Sequence, residues 1–183
     1  MSDQSKGQTV HSHKGIILVE GLDYTLTTVT DETVVARFYR NPDFFMNPDI
    51  PAEEGKDFSE VGFGFNTADG GAFLPLFDLA LGTTLSMTFG QAINAMKKGF
   101  KVARRGWNGK GMWCIYNPGS KGETHAMFEG SVYKSHGVDE CEILPHFDMY
   151  TVNAEGRRAM LPGWLASQSD MDAEDWVVVD ANQ

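Results

Sequence analysis

The chain has 183 residues, 42% of them apolar, which suffices for one ordinary domain or two small ones around a packed core. Its 15 basic and 25 acidic side chains give a formal net charge of −10. That argues against DNA or RNA polymers and membrane surfaces as partners, because both demand a broad positive field.

Cys114 and Cys141 stand without a C-x-x-C partner, so both are expected to be reduced packing residues, and no zinc site is indicated. The polar N-terminus has no apolar signal core, and no apolar run approaches the length of a membrane span; a cytoplasmic protein is expected. Charge is uneven. Residues 1–86 carry 5 basic and 13 acidic side chains, while residues 87–183 carry 10 and 12, so the two stretches look like different modules.

In chain order, residues 1–14 lack periodicity and are expected to form a disordered tail, in which His11 and His13 alone make no metal site. Residues 15–86 are expected to form a β-rich accessory domain. Ile16–Val19, Tyr24–Val29 and Thr33–Tyr39 are rich in β-branched and aromatic residues, separated by turn residues, and spell a meander. Pro42, Pro48 and Pro51 mark a surface loop over 41–57, since proline cannot donate within a central ladder. Val61–Phe65 and Ala72–Leu76 form a hairpin about the Thr67–Gly71 turn, and 81–86 is the junction. The glycines of Gly62-Phe63-Gly64 lack the spacing and the following helix of a nucleotide loop.

The second module, 87–183, opens with a helix. Thr88 and Gln91 make a capping box, Phe89, Ala92, Ile93 and Met96 form one apolar stripe, and Gly99 ends it. Lys101–Trp107 and Met112–Tyr116 are strand-like, with the Asn108-Gly109 pair suited to a tight hairpin turn between them. Residues 117–145 carry weaker signals: a loop over Pro118–Gly122, a short strand at Val132-Tyr133, and His125 and His136 without a supporting pattern. Phe147–Val152 and Arg158–Leu161 form a hairpin; Ser167 or Ser169 caps a single helical turn reaching Glu174; Trp176–Val179 closes the sheet. The fold class expected is α+β, a small antiparallel sheet with a short N-terminal helix in the C-terminal domain, preceded by the β-rich N-terminal domain.

Within this module Lys97, Lys98, Lys101, Arg104, Arg105 and Lys110 fall together, and Asp170, Asp172, Glu174, Asp175 and Asp180 cluster at the other end. Two faces that attract each other account for this, as does a local cationic pocket for a small anion. Trp107 and Asn108 at a hairpin tip suit stacking on a base, unless Trp107 folds back onto its own core. Arg104 and Arg105 alternate in direction, so one of them can fork onto a phosphate while a surface salt bridge serves the other. Ser167-Gln168-Ser169-Asp170 offers polar groups at a helix start; Asp170 either accepts ribose hydroxyls or simply caps. Trp164 and Trp176 are expected in the core or at an interface. His146 and Asp148 share one face of a strand and can hold a metal or polarise water, but no second ligand pair accompanies them. No nucleophile elbow, zinc-protease helix or phosphate loop is present, so no catalytic role and no cofactor is expected.

Phe89-Gly90-Gln91-Ala92, Lys101 through Met112, Pro145-His146-Phe147-Asp148-Met149, and Trp164 through Met171 with Ala173-Glu174-Asp175-Trp176 stand in the order of a known family. Over residues 88–179 the chain resembles the phage-encoded Thoeris anti-defense family, type two. The resemblance implies a compact α+β unit that assembles as a dimer or tetramer. It implies a sponge acting in the host bacterial cytoplasm, which sequesters cyclic ADP-ribose-type immune messengers, chiefly glycocyclic ADP-ribose, without cleaving them; some members also take cyclic di- or trinucleotides. By the same resemblance Trp107 and Asn108 hold a base or ribose at a subunit interface, Ser167, Gln168, Asp170 and Ala173 line the pocket, and Phe89 and Met149 wall it. Arg105 is the arginine assigned to the ligand. Gly163, Asp172 and the Asn153–Gly156 turn depart from the family pattern at the pocket edge. Two other classes compete: a hydrolase of the same messengers, and a phage structural or protein-interaction module dominated by the N-terminal part.

Overall fold

The computed structural model describes residues 10–41, 62–67, 73–76, 79–109, 111–123 and 132–179. The start of the tail, most of the proline loop, the turn after Thr67, Lys110, His125 and Asp180 lie outside them. The architecture is α+β, built from antiparallel sheets with three helices among the described residues.

A five-stranded sheet is formed by β3 (Asp23–Thr27), β4 (Thr33–Arg40), β5 (Phe63–Thr67), β6 (Phe73–Pro75) and β7 (Thr84–Ser86), in the order β6-β5-β4-β3-β7. Pro75 sits in an edge strand, where its missing N–H breaks no central ladder. The expected hairpin of β5 and β6 is present, with Phe65 opposite Leu74.

The larger sheet has seven strands: β1 (Val10–His13), β2 (Ile16–Val19), β8 (Val102–Arg104), β9 (Trp113–Asn117), β12 (His146–Val152), β13 (Arg158–Leu161) and β14 (Trp176–Val178). Their order is β1-β2-β14-β8-β9-β12-β13. Two expectations change here. Residues 10–13, assigned to a disordered tail, form a strand paired with β2 across a turn at Lys14-Gly15, both at positive φ. The three-strand meander is also broken, because β2 pairs with β14 through Ile17 and Val178 instead of with β3. The chain crosses between sheets at Gly21-Leu22. Gly21 takes φ +80° and donates to Phe38, Phe38 donates back to Leu22, and the buried Tyr24 hydroxyl accepts the Val19 N–H at 2.9 Å. The division at 86/87 therefore does not coincide with the division into sheets.

Helix α1 (Phe89–Lys97) has the capping box read from the sequence: Thr88 Oγ1 accepts from the Gln91 N–H, and Gln91 Oε1 accepts from the Thr88 N–H at 2.8 Å. Gly99 follows at φ +92°. Ala92, Ala95 and Met96 are buried, and the helix packs on β8, β9 and β14. A single core runs from Leu18, Tyr24, Phe38 and Phe65 through Met87 and Met96 to Trp176. Met87 exchanges two backbone hydrogen bonds with Trp176, 2.8 and 3.1 Å, at the point where the expected modules meet.

Between β9 and β12 a two-stranded arm projects, β10 (Ser120–Glu123) with β11 (Glu140–Ile143). Part of the expected Pro118–Gly122 loop is thus strand. Val132-Tyr133 is not a strand but opens the helical turn α2 (Val132–Ser135). Its side chains are exposed and no strand pairs with it among the described residues, so local bonds prevail: the Ser135 hydroxyl and the His136 N–H both reach the Val132 carbonyl. The hairpin of β12 and β13 forms as expected.

Candidate functional site

The residues that carry chemistry converge on the first turn of α3 (Gln168–Met171), a helical turn that stops short of Glu174. Ser167 caps it, and Asp170 closes the box by accepting the Ser167 N–H at 3.0 Å and the Ser167 hydroxyl at 2.7 Å on Oδ2. Its other oxygen, Oδ1, accepts the Trp107 indole N–H at 2.9 Å and the Arg104 guanidinium at 3.0 Å. A carboxylate has about four acceptor positions, and all are filled from within the chain. Of the two roles read for Asp170, the structure shows capping and orientation. Burial raises its pKa, but bonds from Trp107, Ser167 and Arg104 outweigh that and hold it at about 2.

Arg104 bridges to a second carboxylate: its Nε lies 2.8 Å from Asp175 Oδ1, and both carboxylates raise its pKa further. Asp175 also takes the Gly106 N–H at 2.7 Å, and its carbonyl takes the Arg105 N–H. The tight Asn108-Gly109 hairpin does not form: the Trp107 N–H turns back to the Arg104 carbonyl at 3.4 Å. Backbone donors at 105 and 106 are claimed by Asp175, β8 ends at Arg104, β9 starts at Trp113, and the ladder between them is confined to Val102 opposite Cys114.

Trp107 is half-buried and folds onto the core, edge-to-face with Trp176 at 5.3 Å and Trp164 at 6.2 Å between ring centroids. Phe89 tilts against Trp176 from α1, at 5.7 Å, and Ala173 is buried beside it in the same core. Asn108, Ser167, Gln168 and Ser169 are exposed, with the hydroxyls of Ser167 and Ser169 2.9 Å apart. Met149 is buried in β12 opposite Cys114. Burial, then the charge of Asp170, pushes the Cys114 thiol up to about 12, which suits an inert packing residue.

Arg105 does not join the cluster: its Nη2 donates to the Leu85 carbonyl in β7. The arginine on the Trp107 side is Arg104. The signal for it was available, since Arg104 lies two residues from the buried Val102 and so shares its face, opposite Trp176. Trp164 packs against the core as expected, whereas the pairing of Asp175 with Arg104 was hidden because the two are distant in sequence.

His146 and Asp148 do share a face, with Nε2 3.2 Å from Oδ1. Asp148 is also held by Asn117 Nδ2 at 3.1 Å and the Gly163 N–H at 3.2 Å, so the pair ties β9, β12 and the segment after β13 together. Among the described residues no third His, Cys, Asp or Glu joins them.

Residues 87–179, half of the chain, match the Thoeris anti-defense 2-like domain. The chain belongs to that family. It is similar to Thoeris anti-defense 2 of Bacillus phage SP01, 30% identical over 95 residues that cover 51% of this chain and 94% of that protein. The matched span begins at Met87, the residue bonded to Trp176, and includes every member of the Trp107–Asp170–Ser167 cluster.

Proposed function

We propose that this Thoeris anti-defense 2-like protein is a phage anti-defense sponge that binds a cyclic ADP-ribose-type messenger, such as glycocyclic ADP-ribose, and keeps it intact. The observation that carries the proposal is the Asp170 carboxylate, which draws the Trp107 indole and Ser167 together from stretches 60 residues apart. Around that anchor Asn108, Ser167, Gln168 and Ser169 offer hydroxyls and amides to solvent beside a half-buried indole. An indole edge of this kind suits a base, and the polar rim suits ribose hydroxyls and phosphate oxygens. Asp170 positions these groups, and Arg104 clamps Asp170 and Asp175 instead of a phosphate.

A sponge must hold its ligand in the nanomolar range, about −12 kcal/mol, more than one open rim and one ring supply. The site is therefore completed across an interface between copies, in a dimer or tetramer. The Ser167 hydroxyl donates to Asp170, a carboxylate whose pKa is held at about 2 and hence a poor general base, which favours capture over cleavage.

The test is to incubate the protein with the products of a signalling TIR enzyme, isolate the complex, denature it by heat and identify what is released. Stoichiometric release of unaltered messenger is expected. Asn108→Ala and Gln168→Ala, both exposed and free of core contacts, are each expected to weaken capture about tenfold, one lost polar contact to a charged ligand. Multiple turnover, or unchanged capture by both variants, would refute the reading.

A further inference from the structure

A cleft of about 330 Å³ opens where the five-stranded sheet meets α1, on residues from both halves of the chain. Its floor is the Gly21-Leu22-Asp23 crossing between the sheets; its walls are Arg37 of β4 and the exposed side of α1 at Asn94, Lys97 and Lys98. Three cations face one carboxylate, a local excess of two positive charges in a chain of net charge −10. Arg37 is held rigidly: Nε and Nη2 lie 2.8 and 3.0 Å from the two oxygens of Asp23. The remaining guanidinium N–H groups are left to point elsewhere. Lys98 spends one ammonium hydrogen on the Gly21 carbonyl, at 2.8 Å, which fixes Nζ against the cleft floor. Lys97 supplies a further cation from the last turn of α1, beside the helix's carbonyl end.

We propose that this cleft is a second ligand site, for a phosphorylated sugar. Arg37, Lys97 and Lys98 supply the charge-assisted donors that a phosphate group requires. The amides of Asn94 and Gln91, the latter left with its NH2 because Oε1 is engaged by Thr88 and Thr25, suit sugar hydroxyls. None of the described lining residues is aromatic, so none of them offers a base a stacking surface, and the volume suits a single sugar ring with its phosphate. The site uses residues 21–37, which lie outside the family-matched span, so it is a property of this chain's N-terminal sheet joined to α1.

The experiment is calorimetric titration of the full chain with ribose 5-phosphate, with ribose and inorganic phosphate in parallel. Saturable binding of ribose 5-phosphate is expected, with no binding of ribose and weaker binding of inorganic phosphate. Lys97→Glu and Arg37→Gln, both at exposed positions, are each expected to weaken it about tenfold or more, while Asn108→Ala leaves it unchanged. Absence of saturable binding, or equal affinity in both charge variants, overturns the site. Inorganic phosphate binding as tightly as the sugar phosphate overturns the assignment to a sugar. Lys98 is left unsubstituted because it also joins the two sheets' connecting turn to α1.

Discussion

Asp170 shows how one carboxylate can gather side chains from distant stretches of a chain. It is 8% exposed, and four hydrogen bonds from Arg104, Trp107 and Ser167 converge on it. Replacing it with Ala leaves the Trp107 N–H unpaired, breaks the reciprocal half of the α3 capping box and half-frees Arg104, which keeps Asp175. A loss of about 3 kcal/mol is expected in urea denaturation. Its folded pKa of about 2, against an ordinary 3.8, means the stabilisation is complete above about pH 4 and is lost as pH falls toward 2. The amount is roughly 2 kcal/mol, and stability of the Asp170→Asn variant should fall less steeply over that range. That Trp107, Ser167 and Asp170 belong together was legible in the sequence. Their hydrogen bonds were not, since spacing along the chain says nothing of which distant donors fill a carboxylate. Which of the adjacent Arg104 and Arg105 meets Asp170 is hidden in the same way, since the two look alike until the Trp176 to Arg104 register is known.

Among the elements, α1 was readable in full because capping box, apolar stripe and terminal glycine all act within a few residues of one another. Thr88→Ala should cost about 1 kcal/mol, measured by thermal unfolding, as one orphan N–H loses its acceptor. The arm was harder to read. Among the described residues its strands pair only with each other and α2 has no buried face, so no periodicity develops. At its base Gly119 takes φ +78°, and a Cβ there would lie 2.0 Å from the Ile143 carbonyl oxygen. Gly119→Ala is expected to destabilise by about 1–3 kcal/mol, with amide exchange accelerated first over β10 and β11. The loop over 105–112 misled because Asn-Gly chemistry favours a two-residue turn only when the flanking donors are free to pair across it. Here the Trp107 N–H turns back to the Arg104 carbonyl, and Asp175 holds Gly106 just before it.

For the whole molecule, the break in charge and composition after residue 86 agrees with where the family match begins. It does not mark where the sheets divide. A strand's sheet membership is fixed by long-range pairing, and β2 finds β14 more than 150 residues away. A fragment of residues 87–183 would lose Leu18 and Val19 from the core and expose the edge of β14. Its urea midpoint is expected to fall below that of the full chain, with increased association at high concentration through the open edge. The bridge between Met87 and Trp176 has an optical corollary. The indole of Trp176 lies at 5.3 and 6.3 Å from two others, close enough for their excited states to couple, and its backbone is tethered to the start of the family-matched half. Near-ultraviolet dichroism of this trio should therefore report any loosening of the family-matched half directly, with no added label.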